Sequence, residues 1–200
     1  MSPDTPHKTG LFFGSFDPAH LAHLIIAEYL LAHKHVSEIW FVISPQNPLK
    51  ADKVLTHHHL RKEMMELAIE NQEQIRVCDI EFDMPFPHYT HKTLLVLKEM
   101  YPDKDFALII GSDNLHIFDR WKNYREILEM IDILVYPRPG HGTERFMEYA
   151  RVRPVNAPML EISSSYIRKS FVEGFSARYM LPVKVFDYIQ SQGLYRPTAD

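Results

Sequence analysis

Two histidines three residues apart open the chemistry of this sequence. They lie in Gly14-Ser15-Phe16-Asp17-Pro18-Ala19-His20-Leu21-Ala22-His23, a turn between a short apolar run and a segment with helical spacing. Gly14 permits close backbone approach, a helix N-terminus offers unpaired amides with partial positive charge, and imidazoles at i and i+3 project from one face. Together these suit a polyphosphate. The plainer reading is a pair of solvated or capping histidines. A zinc pair would need further ligands, and there is neither an HExxH pattern nor a cysteine cluster. A Walker loop and GxGxxG are also absent, so kinase and dehydrogenase readings lack their fingerprints.

A second constellation is Ile162-Ser163-Ser164-Ser165-Tyr166-Ile167-Arg168, with hydroxyls at a helix start and an arginine one turn on. Taken alone, serines there are caps that need no ligand. Other features also have bland readings: Thr90 as an N-cap, Trp121 as core, Arg138 as a loop charge and the nine methionines as core filler. His57-His58-His59 offers a metal tract, but beside Arg61 and Lys62 it reads as a solvated helix start.

These residues must be positioned by alternating strands and helices. Gly10–Phe13, Glu38–Ile43, Ile75–Phe82, Phe106–Ile110 and Ile131–Tyr136 read as buried strands. Leu21–His33, a segment carrying Leu60, Met64, Leu67 and Ala68, then Thr90–Met100, a short piece closing at Ile127–Met130, Ser163–Phe171 and Val183–Gln192 read as helices. The pattern predicts an α/β fold, a doubly wound Rossmann-like parallel sheet, in one domain over residues 1–200. Residues 1–8 are expected to be flexible and 162–200 to form a C-terminal helical part of the same domain. Ligands bind such sheets at the carboxyl ends of the strands, where the loops after Phe13, Ile43, Ile110 and Tyr136 fall.

Composition narrows the class. With 200 residues, 46% hydrophobic and 24% charged, the chain is globular rather than disordered or collagenous. Its 22 basic against 26 acidic residues leave −4, too balanced for a bulk polyanion binder, so no nucleic-acid partner is expected. A single Cys78, read as a half-buried strand residue, cannot form an internal disulfide and fits a reducing compartment. Neither a signal peptide nor a membrane span is apparent, so a cytoplasmic protein without a membrane partner is expected.

The string Gly14 to His23 resembles the signature of the nucleotidyltransferase superfamily, G-[TS]-F-[DN]-P-x-H-x-G-H, and Ile162 to Arg168 is similar to its second signature, I-S-[ST]-[ST]-x-[IV]-[RK]. Three further strings resemble the bacterial nicotinate mononucleotide adenylyltransferase family: His88-Tyr89-Thr90-His91-Lys92-Thr93-Leu94, Ile110-Gly111-Ser112-Asp113 followed by Trp121, and Arg138 in Pro137-Arg138-Pro139-Gly140. The likeness runs from Leu11 to Arg196. It implies adenylyl transfer from ATP to nicotinate mononucleotide in NAD biosynthesis, with Mg²⁺ held through the ATP phosphates rather than by a protein cage. His20, His23, Lys50 and Arg168 would be catalytic, and Gly14, Ser15, Phe16, Gly111, Asp113, Ser164 and Ser165 would join His20, His23 and Arg168 in holding ATP. Ser15, Phe16, Lys50, Thr90, Trp121 and Arg138 would hold the acceptor. Four departures stand out: Phe13 and Ala22 replace usual glycines, Asn47-Pro48-Leu49-Lys50 replaces P-P-H-K, and His88 replaces a serine. Lys50 is carried over and Leu49 is not.

Alternatives remain open in the sequence: nicotinamide mononucleotide or another phosphorylated acceptor such as phosphopantetheine, a nucleotide-binding module without catalysis, and a histidine-based metal protein. Whether the chain forms a homo-oligomer is also open.

Overall fold

Six parallel strands in the order β3-β2-β1-β4-β5-β6 form the scaffold: β1 (Lys8–Gly14), β2 (Glu38–Ile43), β3 (Ile75–Cys78), β4 (Asp105–Gly111), β5 (Asp132–Tyr136) and β6 (Val152–Pro154). The helices are α1 (Leu21–Ala32), α2 (His58–Ala68), α3 (Thr90–Met100), α4 (Ser112–His116), α5 (Tyr124–Met130), α6 (Ser164–Val172) and α7 (Val183–Gln192). This computed structural model describes residues 7–46 and 55–196.

Past their first residues the central strands are apolar, as both of their faces are covered. Alternate residues divide between two cores. Phe12, Phe41, Ile109 and Leu134 pack with Ile26, Ala27 and Leu30 of α1 on one side. Leu11, Val42, Leu108 and Ile133 pack with Leu94 and Leu97 of α3 and Ile127 and Leu128 of α5 on the other. A smaller core of Met64, Ile167, Val185 and Ile189 seats α6 and α7 against α2, so 162–196 joins the sheet as one domain. The order reverses between β1 and β4, and a crevice opens there at the strands' carboxyl ends.

Two expectations need correction, and two elements went unread. Lys8 is not part of a flexible start; it begins β1 and binds Asp105 at 2.7 Å and Asp132 at 2.9 Å. The third strand stops at Cys78, and Ile80–Phe82 forms a 3₁₀ turn that buries Glu81. The short β6, flanked by arginines and ended by proline, and the one-turn α4 carried too little periodicity to be read.

Candidate active site

β1 ends at Gly14 and the chain turns to α1, with His20 at the cap position. Phe16 occupies the left-handed region at φ 47, and its buried ring lies edge-on to His23 at 4.9 Å and to Phe41 at 5.2 Å. A Cβ on Gly14 would meet that ring at 2.7 Å, so the turn requires glycine there. The His20 and His23 rings stack with centroids 3.7 Å apart. The His20 backbone N–H donates to His23 Nδ1 at 3.3 Å, which leaves the proton of the neutral His23 ring on Nε2. Burial holds His20 down at about 3, with the Arg138 guanidinium adding to the effect. Burial, then His20 and Arg138, keeps His23 well below its ordinary range. Both rings are therefore neutral N–H donors at neutral pH.

The second constellation is sewn onto the first. Ser163 caps α6 by accepting from the Tyr166 N–H at 3.2 Å, as its hydroxyl type predicts. Ser164 Oγ donates to the Pro18 carbonyl at 3.0 Å, and Arg168 Nη1 donates to the Asp17 carbonyl at 2.6 Å. Because the Ser164 hydroxyl proton is committed, a phosphate here would meet main-chain amides: those of Ser164 and Ser165, in the first turn, have no intrahelical acceptor. The N-termini of α1 and α6 thus line one cavity.

The opposite wall rises from β4 and β5. Ser112 is fully buried; its hydroxyl accepts from the Arg138 N–H at 2.9 Å and donates to the His141 carbonyl at 2.9 Å, fixing the Arg138 loop. A Cβ on Gly111 would meet the Asp113 carboxylate at 2.4 Å and Arg138 at 2.8 Å. Thr90 is the first residue of α3 rather than its cap, a place that Tyr89 takes. His88, Tyr89, Thr90 and Trp121 complete this wall.

The cavity measures about 360 Å³ and brings together Gly14, Ser15, His20, His23, Thr90, Gly111, Asp113, Trp121, Arg138, Ser164, Ser165 and Arg168. His20 Nδ1, His88 Nδ1, Asp113 Oδ1 and Trp121 Nε1 are buried there with no protein hydrogen-bond partner. Such polar atoms concentrated on one cavity mark a site built for a polar ligand. One expected contributor does not line it, since Phe16 backs His23 instead; Lys50 lies outside the described residues.

Known proteins resemble this chain over most of its length. The cytidylyltransferase-like family model matches residues 11–170. A "probable nicotinate-nucleotide adenylyltransferase" of Bacteroides thetaiotaomicron is 45% identical over 190 residues, covering 95% of this chain and 94% of its own. One of the same name from Cytophaga hutchinsonii is 44% identical, covering 94% and 98%. This chain belongs to the nicotinate-nucleotide adenylyltransferase family. A Plasmodium falciparum nicotinic acid mononucleotide adenylyltransferase, solved with NaAD, shares 25% of its sequence, covers 94% of this chain and 98% of its own, and superposes with a TM-score of 0.80.

Within this adenylyltransferase scaffold, several residues that sequence reasoning passed over hold the site in place. Arg61, expected on a solvated helix start, is fully buried. Its Nε donates to the Thr56 carbonyl at 2.8 Å, Nη1 to Ser15 and Ser44 at 2.6 and 2.9 Å, and Nη2 to Pro45 at 2.8 Å. It thereby ties the loop after β1 to the loop after β2. Asp17 is buried too, accepting from the Tyr195 hydroxyl at 2.6 Å and from the Thr56 N–H at 3.3 Å. No local string announces these roles, because most of the partners are 16 or more residues away in sequence.

Proposed function

We propose that the protein transfers the adenylyl group of ATP to the phosphate of nicotinate mononucleotide, yielding nicotinate adenine dinucleotide and pyrophosphate. Family membership gives the reaction class. The observation that supports its placement is the one cavity walled by two helix N-termini and paired neutral imidazoles on one side and by Thr90, Trp121 and Arg138 on the other.

In this reading, the triphosphate lies over the starts of α1 and α6, where main-chain amides, Ser165 and Arg168 meet its β- and γ-phosphates. The acceptor lies against Thr90 with its pyridine ring on Trp121 and its phosphate on Arg138. An acceptor oxygen attacks the α-phosphorus in line, a new P–O bond forms, the bond to the bridging oxygen breaks, and pyrophosphate leaves. A phosphate monoester is already nucleophilic near neutral pH, so no side chain need act as nucleophile, and catalysis falls to positioning and charge stabilisation. The His20 and His23 N–H groups donate to the α-phosphate and bridging oxygen, and Arg168 and Lys50 offset the charge on the leaving group.

The donor set also fits Mg²⁺. Among the described residues that line the cavity, Asp113 alone carries a carboxylate, with Oδ1 unpartnered, and Mg²⁺ is commonly held by one or two carboxylates and the substrate's phosphates. When bound, the ion would neutralise triphosphate charge. Among the described residues, no helix is long and apolar enough to cross a membrane.

Incubating the protein with ATP, Mg²⁺ and either nicotinate or nicotinamide mononucleotide tests the reading. Dinucleotide and pyrophosphate should form in equal amounts and preferentially from the nicotinate substrate. The His23→Ala variant should lose turnover by about 10²- to 10³-fold while keeping its fold. Equal rates with both acceptors would overturn the assigned preference, and near-normal turnover without His23 would remove that ring from the mechanism.

A further inference from the structure

The strongest chemistry outside the cavity is the run His57-His58-His59. The sequence favours a solvated helix start for it, because successive residues of an α-helix point about 100° apart and do not ordinarily share a ligand. Here the run straddles a helix boundary. His57 is the cap residue of α2 with φ −51 and ψ 137, outside helical geometry, and His58 and His59 are the first two residues of the helix. The three rings fold over one another, with centroids 4.3, 4.5 and 5.3 Å apart. One nitrogen from each lies within 4.8 Å of the other two.

We infer that His57, His58 and His59 form a binding site for a borderline divalent transition ion of the zinc class. Zinc–nitrogen bonds of about 2.0–2.1 Å at tetrahedral angles place ligand nitrogens about 3.4 Å apart, so the triad must tighten by little more than an ångström. His57 and His59 are exposed and can supply that movement by side-chain rotation. The third ring is anchored: half-buried His58 lies edge-on to Phe82 at 4.5 Å, and His59 meets the same ring at 5.3 Å.

Donor type sets the selectivity. Imidazole suits zinc, nickel and copper, whereas Mg²⁺ prefers oxygen, so the site would not compete for the ion that accompanies ATP. Asp79, the nearby carboxylate, is held by Lys62 at 2.6 Å. Three protein ligands therefore leave a fourth position to water or to another molecule. The partial positive charge at the start of α2 weakens the binding of a cation but is small beside three dative bonds.

Calorimetric titration of Zn²⁺ into the full chain without an affinity tag, in excess Mg²⁺, tests the site. One ion should bind per chain with micromolar affinity. The His57→Ala/His59→Ala variant should lose affinity by at least about tenfold while its circular dichroism is unchanged. Should that variant unfold, His57→Gln/His59→Gln serves at the same exposed positions. With Co²⁺ in place of zinc, the spectrum should lack a thiolate charge-transfer band, which separates this site from Cys78. Absence of one-to-one binding, a thiolate band, or equal affinity in the folded double variant would overturn the proposal.

Discussion

His20 and His23 carry no positive charge at neutral pH, so whatever they do for a phosphate they do as hydrogen-bond donors. Burial favours the neutral form at Glu81 as well, where it pushes the carboxyl up to about 7 despite the hydrogen bond it accepts from the Thr93 hydroxyl at 2.8 Å. Its ordinary value is 4.5, so the folded chain binds this proton more tightly than the unfolded chain. That contribution to stability is full below pH 4.5 and disappears as pH rises through 7. Glu81→Gln cannot ionise and keeps an oxygen for Thr93. It should match the wild type at pH 4 and exceed it by up to about 3 kcal/mol at pH 8, as measured by urea denaturation.

At the scale of elements, catalytic strands need their loops fixed, and single side chains do much of that work here. Ser112, at the β4–α4 junction, bonds to both ends of the Arg138–His141 turn. Ser112→Ala removes both bonds, each worth about 1 kcal/mol, and should raise KM for the mononucleotide by roughly 5- to 30-fold with a smaller change in kcat. Steady-state kinetics with each substrate varied in turn would show this, and an equal rise in KM for ATP would mean that the loop serves the whole cavity. The element scale also explains what was legible in the sequence. Both signature strings are local, so residue type and spacing displayed them, and continuous apolar runs gave the central strands. Arg61, Ser112 and Tyr195 were not legible, because their partners lie 46, 29 and 178 residues away and become neighbours only once the sheet closes. Glu81 was misplaced for a related reason: its apolar neighbours continue the strand's pattern, whereas the backbone turns after Cys78.

The whole molecule is closed by contacts between its beginning and its end. α6 binds the Asp17 and Pro18 carbonyls, and Tyr195, just beyond α7, donates its hydroxyl to the Asp17 carboxylate. Burial, and then Asp17, hold that phenol well above its usual range, so the bond persists through alkaline pH. Tyr195→Phe would leave a buried carboxylate short of a donor. The loss should be about 2 kcal/mol, which corresponds to roughly 4–8 °C in Tm for a chain of this size. It should also raise KM for ATP, since Arg168 rests on the same residue.

The Tyr195–Asp17 bond also sets a timetable. A ribosome makes the histidine turn early and its hydroxyl partner 178 residues later. At about 5–20 residues per second, the growing chain therefore waits roughly 10–35 s with its first motif synthesised but unlatched. During that interval the sheet can assemble from β1 to β5, while for most of it the Asp17–Pro18 turn has no α6 beneath it. The opening motif is therefore latched only after Tyr195 has been made, well after the strands that carry it.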